Sequence, residues 1–369
     1  MTLYPGYKVA AAHLAPVFHD TDKTIDKACD AIAEAARNGA RLIAFPESYI
    51  PGFPMWAGVV PPTHTHDYFR QLAAAAPRVD GPEIERLRAA AHRHDIFVSI
   101  GFTESTSASV GCLWNSNLMI GSDGEVLNHH RKIVPTFYEK LVWANGDGAG
   151  LRVNDTEIGR LGMLICGENT NPLARFSLIA QGEQVHIATY PAVYPTRPLN
   201  ESGNYDLEQA IRIRAGAHSF EGKVFTIVAA AHYDDSAREA MQGLGRDALD
   251  LLEASPKAVS MIIDPTGNVI GEPRTGGEGL VYAEIDLAAA VEPKRIHDVV
   301  GYYNRFDIFH LEVDLSAHRP ATFAAARQRI GENQRSPVGG APPLISESND
   351  SLVTYLDRCS GDRAGIAAK

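Results

Sequence analysis

The stretch RLGMLICGENTNPLARF, residues 160–176, contains the local signals that decide the fold. An apolar run ends abruptly at Cys166, a polar turn follows, and an amphipathic pattern begins near Pro172. This order predicts a strand, a sharp turn and a helix, a unit that holds one side chain at the edge of a sheet. The start of the helix directs free N–H groups back at the turn and lowers the pKa of a thiol there. Cys166 is therefore a candidate nucleophile, with a buried structural cysteine as the alternative.

Apolar runs and helical patterns alternate along most of the chain, which is typical of an α/β fold. The pattern at 25–36 is the clearest helix, because apolar residues recur at i, i+3, i+4 and i+7 and Gly39 follows its end. Turn chemistry of the Asp-Gly and Pro-x-Gly types indicates two hairpins. The predicted helices are 25–36, 82–94, 172–180 and 207–220, the strands are 8–14, 41–45, 96–102, 116–120, 161–165, 186–189, 224–231, 259–264 and 280–285, and the hairpins are 116–128 and 261–270.

Composition narrows the class of protein. The 369-residue chain has a formal net charge of −11, so it lacks the basic surface of a nucleic-acid binder. Its four cysteines show no C-x-x-C spacing, and the pairs His64/His66 and His92/His94 would point away from each other on a helix. We therefore expect neither a metal nor another cofactor. The sequence shows no signal peptide and no run of about 18 apolar residues, so we expect a cytoplasmic protein without membrane contact.

The organisation of the chain changes near Leu311. We predict one main domain at 1–312 and a C-terminal tail at 313–369. The tail combines an Ala-rich helical piece, 321–329, with a stretch rich in Pro, Gly and Ser, 336–348. Such a composition is typical of loose structure or of a segment ordered by a partner, for example in an oligomer.

Two further strand ends carry residues that a cysteine nucleophile needs. Glu47 follows the predicted strand 41–45, and Lys132 follows the second strand of a predicted hairpin. A thiol requires a base that takes its proton and a positive group where negative charge develops. Alone, each residue is more typical of a solvated surface. Together with Cys166 they predict a nucleophilic site, with Glu47 as the base and Lys132 as the cation.

Four blocks of sequence extend this constellation, and with them the chain resembles the nitrilase superfamily over about residues 7–312. These carbon–nitrogen hydrolases use a Glu-Lys-Cys triad, and the longer blocks are most similar to the nitrilase branch. The blocks are LIAFPESYIPGFP (42–54), HRKIVPTFYEKLVWANGDG (130–148), LICGENTNPLARF (164–176) and GYYNRFDIFHLEV (301–313).

The resemblance implies an α/β fold in the form of a four-layer αββα sandwich, two sheets flanked by helices. It also implies that Glu47 activates Cys166, that Lys132 stabilises the anion, and that Glu139 is the second glutamate that supports Lys132 and the attacking water. The backbone N–H of Gly167 is a candidate second donor to the anion.

The activity implied by this resemblance is the hydrolysis of a small-molecule nitrile to the carboxylic acid and ammonia, without a cofactor. An amidase or N-carbamoyl hydrolase that uses the same triad is the alternative. The family also implies a homo-oligomer, a dimer or a larger and even spiral assembly, in which the tail takes part.

Aromatic residues near the strand ends predict aromatic or arylaliphatic nitriles as substrates, although each aromatic can equally serve the core. Gly167 stands where many nitrilases carry Trp, and a glycine there can widen the pocket or loosen the turn. Asn169 matches the nitrilase branch, whereas cyanide-hydrating members tend to have His, which makes cyanide a less favoured substrate. The candidate pocket residues are Phe53, Trp56, Thr136, Tyr138, Trp143, Gly167, Tyr190 and Tyr194.

Overall fold

The structure, a computed structural model, describes residues 4–318 and contains eight α-helices and twelve strands within that range. The strands are β1 (Gly6–His13), β2 (Ala40–Ala44), β3 (Phe97–Thr106), β4 (Ser109–Ile120), β5 (Val126–Arg131), β6 (Asn154–Thr156), β7 (Gly159–Ile165), β8 (Val185–Tyr190), β9 (Phe225–Ala230), β10 (Ser260–Ile263), β11 (Val269–Arg274) and β12 (Gly279–Asp286). The helices are α1 (Thr21–Arg37), α2 (His66–Ala75), α3 (Pro82–His94), α4 (Pro172–Ala180), α5 (Leu207–Gly222), α6 (Asp235–Ala240), α7 (Arg246–Ala254) and α8 (Val291–Ile296).

The strands form two six-stranded mixed sheets. The first sheet has the order β12-β1-β2-β3-β4-β5, and the second has the order β11-β10-β9-β8-β7-β6. Three neighbouring strands in each sheet are parallel, β1–β3 in the first and β7–β9 in the second, and the outer strands are added antiparallel. Parallel strands need crossover connections, and α1, α3, α4 and α5 lie within them.

The core has three regions, one between the two sheets and one between each sheet and its helices. This arrangement confirms the αββα sandwich. Between the sheets, Val9, Leu42, Met163 and Ile187 belong to one buried cluster. Because successive side chains of a strand point to opposite faces, the neighbouring residues cover the outer faces and meet the helices. Both faces of these strands are therefore buried, which is why they read as continuous apolar runs in the sequence.

Helices pack on the outer face of each sheet. On the first sheet, Ile25 of α1 and Leu87 of α3 share a buried cluster with Ile43. On the second sheet, Leu178 of α4 packs with Leu164, and α5 covers the neighbouring strands. Burying a side chain of this size contributes about 1.5–3 kcal/mol. Each helical layer therefore stabilises the sheet that it covers.

Most predicted elements are present, and α3 and α4 begin and end at the predicted residues. The prediction was incomplete in three places. Strand β4 begins at Ser109 rather than 116, and forms a long hairpin with β3 whose outer part is exposed. Strand β5 continues to Arg131, so Lys132 follows the strand directly. Strand β6 and helices α2, α6, α7 and α8 were not predicted. Strand β6, α6 and α8 are short and α2 buries only Leu72, so their patterns are weak. Helix α7 has an amphipathic pattern, with Leu249 and Leu252 buried, that was overlooked in the sequence.

The first residues of the predicted tail pack against the main body. Val313 and Leu315 contact the cluster of Leu164 and Leu178, and the His318 N–H donates to Asp147 Oδ2 at 2.8 Å. The Ala-rich piece 321–329 and the stretch 336–348 lie outside the described residues. None of the helices in 4–318 combines the length and the apolar character required to cross a bilayer.

Candidate active site

Cys166 begins a tight turn at the end of β7. The turn, Cys166–Thr170, is a 3₁₀ helix that precedes α4, and Cys166 has a φ of +49°. A non-glycine residue in the left-handed region costs about 1–2 kcal/mol, so the surrounding structure must hold it there. Asn169 does so in part, because its Nδ2 donates to the carbonyls of Leu164 and Cys166 at 3.2 and 3.1 Å. The predicted strand, turn and helix are thus all present.

Glu47 reaches the site because the chain after β2 crosses close over β3. The N–H of Ile50 donates to the Gly101 carbonyl at 3.2 Å, and the N–H of Thr103 donates to the Ile50 carbonyl at 2.7 Å. A side chain at Gly101 would place its Cβ 2.3 Å from the Pro46 carbonyl oxygen. Glycine at this strand position therefore permits the close approach that carries Glu47 across the sheet toward β4 and β5.

Lys132 joins the two glutamates. Its Nζ donates to Glu47 Oε1 and to Glu139 Oε2, each at 2.6 Å, and all three side chains are fully buried. Asn115 on β4 donates to the same Glu47 oxygen at 2.7 Å and accepts the Lys132 N–H through its carbonyl at 2.8 Å. The Sγ of Cys166 and one oxygen from each glutamate lie within 4.8 Å of one another.

The charges in this cluster are strongly perturbed. Burial lowers the pKa of the Lys132 ammonium, but Glu139 and Glu47 outweigh it and hold that pKa above its ordinary value. Burial raises the pKa of Glu139 to about 7; Lys132 opposes this shift and Glu47 adds to it. The lysine therefore stays charged at neutral pH, while Glu139 exchanges a proton near neutrality.

The thiol does not have the low pKa expected from the sequence. Burial raises the pKa of Cys166 well above its ordinary value, Glu47 adds to the increase, and Lys132 opposes it. The side chain is only 4% exposed, and α4 begins six residues further along the chain at Pro172. The helix terminus is therefore too remote to dominate, and a free thiolate is not the resting form of this cysteine.

Glu168 is a structural residue that sequence reasoning missed. It lies two residues after Cys166, and its Oε1 accepts the N–H of Ile133 at 2.5 Å. Its Oε2 accepts from the N–H of Ile165 and from His130 Nε2, both at 2.8 Å. One buried carboxylate thus ties the neighbour of Cys166 to the neighbour of Lys132. A carboxylate shortly after the nucleophile was the only available signal, and it did not reveal this bridge.

A second buried network supports the turn from below. Asn169 Oδ1 lies 2.8 Å from His186 Nε2, within hydrogen-bond distance, and His186 Nδ1 lies 2.7 Å from Glu183 Oε1. The other oxygen of Glu183 accepts from His218 Nε2 at 2.7 Å, and the two imidazole rings stack with centroids 3.7 Å apart. The sequence did not indicate this cluster, because its members come from three different elements. Its short hydrogen bonds fix the amide of Asn169 and hence the carbonyl of Cys166.

An aromatic cluster surrounds the thiol, and it contains most of the predicted pocket residues. The ring of Phe53 meets Trp143 edge to face at 5.4 Å, and Tyr138 stacks on Tyr194 at 4.7 Å. Tyr194 donates its hydroxyl hydrogen to the Thr136 carbonyl at 2.8 Å. Trp56 and Tyr190 belong to the same buried cluster as Cys166. These side chains lie together as expected; their contact with a substrate remains a prediction.

Gly167 does not open a cavity. A Cβ at this position would lie 2.6 Å from Thr136 Oγ1, so the threonine hydroxyl occupies the space beside the glycine. Thr136 in turn donates its N–H to Glu139 Oε2 at 2.8 Å, which fixes it next to the cluster of charges. Of the two effects that a glycine can have here, a wider pocket is therefore not seen, because the side chain of Thr136 fills the space.

The chain is similar to known sequences over most of its length. Residues 8–295 match the family model described as Carbon-nitrogen hydrolase. A nitrilase from Paraburkholderia phymatum is 33% identical over 93% of this chain and 95% of its own length. A cyanide hydratase from Stereum hirsutum is 34% identical over 98% of this chain and 94% of its own length.

Solved structures share the fold. Nit3 from Saccharomyces cerevisiae, a member of branch 10 of the nitrilase superfamily, gives a TM-score of 0.62 at 18% identity and covers 82% of this chain and 97% of that chain. An amidase from Nesterenkonia sp. AN1 gives a TM-score of 0.56 at 17% identity, covering 76% of this chain and 90% of that chain. At such low identity these likenesses concern the fold alone.

Proposed function

Because this chain belongs to the carbon–nitrogen hydrolase family, we propose that it is a nitrilase that converts an organic nitrile to the carboxylic acid and ammonia. The observation that carries this proposal is the buried cluster in which Lys132 bonds to both Glu47 and Glu139 within reach of Cys166. It supplies a nucleophile, a base and a fixed cation in one place, and these are the parts that addition to a C≡N bond requires.

The first half of the proposed reaction forms a covalent intermediate. Glu47 takes the proton of Cys166 as the sulfur adds to the nitrile carbon, and then passes this proton to the nitrogen, which gives a thioimidate and restores the Glu47 carboxylate. The raised pKa of the thiol means that proton removal accompanies the attack rather than preceding it. Lys132 lies beside both carboxylates and stabilises the negative charge that develops on nitrogen.

The second half releases the products. Water adds to the thioimidate carbon, ammonia leaves, and a thioester on Cys166 remains. A second water, whose proton passes to Glu47, breaks the C–S bond, so the carboxylic acid leaves and the thiol is restored. The Glu47 oxygen that Lys132 does not contact is buried and has no hydrogen-bond partner in the described residues, and it is therefore available for these transfers.

Aromatic or arylaliphatic nitriles are the proposed substrates. The support is the aromatic cluster of Phe53, Trp143 and Tyr190 around the thiol, together with Thr136 beside Gly167. Flat rings pack well against edge-on and stacked aromatic side chains. Since Cys166 is almost fully covered, a substrate can enter only if part of this aromatic wall moves.

The test is a panel of nitriles and their amides, scored for ammonia, acid and amide. We expect 3-phenylpropionitrile to give the acid and ammonia, and Cys166→Ala to give neither. If nitriles of all classes are inert while the matching amides are hydrolysed, the enzyme is an amidase or N-carbamoyl hydrolase, which would use the same thioester.

Hydration of cyanide is a second candidate, because cyanide hydratases are among the similar sequences. The observation against it is the amide of Asn169, which donates to two carbonyls and accepts from His186. Cyanide-hydrating members tend to have His at this position. The two ring nitrogens of an imidazole cannot replace all three hydrogen bonds of the amide. Formation of formamide from cyanide at a rate comparable with the turnover of organic nitriles would favour the hydratase instead.

We also propose that the protein forms a homo-oligomer, a dimer or larger, in the cytoplasm. The support is a set of large apolar side chains that are exposed in the described part of the chain. Sedimentation of the full chain tests this, and Phe306→Asp combined with Phe309→Asp should reduce the assembly. The exposed residues include Leu173, Ile213, Tyr303, Phe306 and Phe309.

A further inference from the structure

Arg214 lies on α5 beside the turn that carries Cys166. Helix α5 packs against the turn Cys166–Thr170, and Ile211 and Ala215 on its inner side belong to the same buried cluster as Cys166. The Arg214 guanidinium lies over the ring of Tyr205, with Cζ 5.8 Å from the ring centroid. Tyr205 itself packs against the buried cluster. The arginine is therefore at the border of the proposed pocket, partly withdrawn from solvent.

This arginine has no carboxylate partner within residues 4–318. Its neighbours differ, because Arg212 pairs with Glu208 and Arg175 pairs with Glu221, each at 2.7 Å. A cation that is partly buried is normally paired, since the loss of hydration must be offset by an opposite charge. A guanidinium keeps its charge in proteins whatever its surroundings, so Arg214 is a fixed cation near the pocket.

Tyr190 adds a donor in the buried cluster that also contains Cys166. Its side chain is fully buried at the end of β8, and its hydroxyl has no hydrogen-bond partner among the described residues. Burial raises the pKa of this phenol, so it remains a neutral donor. An unpaired guanidinium and an unsatisfied hydroxyl near one pocket match the needs of an anionic oxygen pair.

The catalytic cluster itself cannot serve an anion. Lys132 is already bonded to two carboxylates, so that cluster carries no net positive charge when both are ionised. The site therefore combines a charge-compensated cluster, which carries the machinery for the C≡N bond, with a separate cation that has no carboxylate partner in the described residues. A substrate that has a nitrile at one end and an anion at the other fits this arrangement.

We propose that Arg214 and Tyr190 form an anion subsite, and that the natural substrate is a nitrile that also carries a carboxylate or a similar anionic group. This inference rests on the proposed nitrilase function and narrows its substrate class. The aromatic cluster would then hold the part of the substrate between the two ends. Arg214 acts here as a specificity-determining residue, since its contact is to the anionic end.

Matched pairs of substrates test the subsite. We would compare 4-(cyanomethyl)benzoate with 4-(cyanomethyl)acetophenone, and 4-cyanobutanoate with 5-oxohexanenitrile, because each pair differs only in replacing a carboxylate by a methyl ketone. We expect the wild-type kcat/KM to favour the anionic member by about 10-fold or more, the range of one charge-assisted hydrogen bond. Arg214→Gln should remove that preference, mainly through KM, and Arg214→Lys should retain part of it.

Arg212→Gln is the matched control, because it removes a charge from the same helix without touching the subsite, and it should keep the wild-type ratio. A wild-type enzyme that treats both members equally would overturn the proposal. The proposal would also be overturned if Arg214→Gln slowed both members of a pair by the same factor, because the arginine would then act on the thiol alone. If no nitrile reacts but amides do, the proposed function fails, and the corresponding amide pairs test Arg214 by the same ratio.

Discussion

Lys132→Met should show how strongly the buried glutamates depend on their shared cation. The variant keeps the length of the side chain and removes its charge, leaving oxygens of Glu47 and Glu139 within 4.8 Å of each other. At an effective dielectric of about 20, two unit charges at this distance repel by about 3.5 kcal/mol. Lys132 offsets this repulsion in the wild type, so its removal should lower the stability and raise the pKa of one carboxyl by about 2.5 units from its wild-type value.

The sign of the pH dependence follows from the direction of that shift. The pKa of Glu139 is about 7 in the wild type, with Lys132 lowering it, and it rises further in the variant. The unfolded value is about 4.3 in both proteins. Between about pH 7 and pH 9 the folded variant therefore keeps a proton that the folded wild type releases, and its free energy of unfolding falls relative to wild type. We expect this pH-dependent deficit to be under about 1 kcal/mol at pH 6 and about 2.5 kcal/mol at pH 9.

The assays are urea unfolding at several pH values and ammonia release from a nitrile. Activity should fall by at least about 10²–10³, the cost of losing one preorganised donor. The double variant Lys132→Met with Glu139→Gln should recover most of the stability lost in Lys132→Met, but it should not recover the activity. Lys8→Met is the control, since Lys8 forms a partly exposed ion pair with Glu284 at 3.3 Å and its loss should cost under about 1 kcal/mol. A deficit that is independent of pH, or no recovery with Glu139→Gln, would refute the reasoning.

Three further predictions concern the turn. The rate of Cys166 alkylation by iodoacetamide should still be rising at pH 9, because the pKa of the thiol is raised; a plateau near pH 7 would contradict this. Glu168→Gln should lower kcat about 10-fold with little change in KM, since one backbone N–H loses its acceptor; an unchanged kcat would exclude a positioning role. Gly167→Ala should cost about 1–3 kcal/mol in urea unfolding, and Thr136→Ala should restore part of it by removing the hydroxyl.

The sequence alone was sufficient for the local units. Periodicity located α1, α3, α4 and α5, and apolar runs located the central strands, because their burial on both faces leaves a strong pattern. It also placed Glu47 after β2 and Cys166 after β7, each at the end of a strand. Residues at strand ends are easy to find in this way, since an apolar run that stops at a polar side chain is visible without any tertiary information.

The protonation states of the site and the shape of the pocket could not be predicted from the sequence in this way. The sequence favoured a thiol of lowered pKa and left open whether Gly167 widens the pocket. In the structure the pKa of the thiol is raised, and Thr136 fills the space beside Gly167. Both depend on groups that arrive from elsewhere in the chain: Glu47 and the buried surroundings raise the pKa of the thiol, and Thr136 fills the gap. Glu168 and Arg214 escaped notice for the same reason.

The sequence by itself determined which side chains stand at strand ends and what chemistry they can perform. Only the tertiary structure decided that they meet, because β2 and β5 are separated by two strands in one sheet while β7 belongs to the other. The crossing over Gly101 carries Glu47 to Lys132, and the packing of the two sheets brings Cys166 to both. Distances between residues far apart in sequence, and the pKa values that follow from those distances and from burial, are properties of the packed fold.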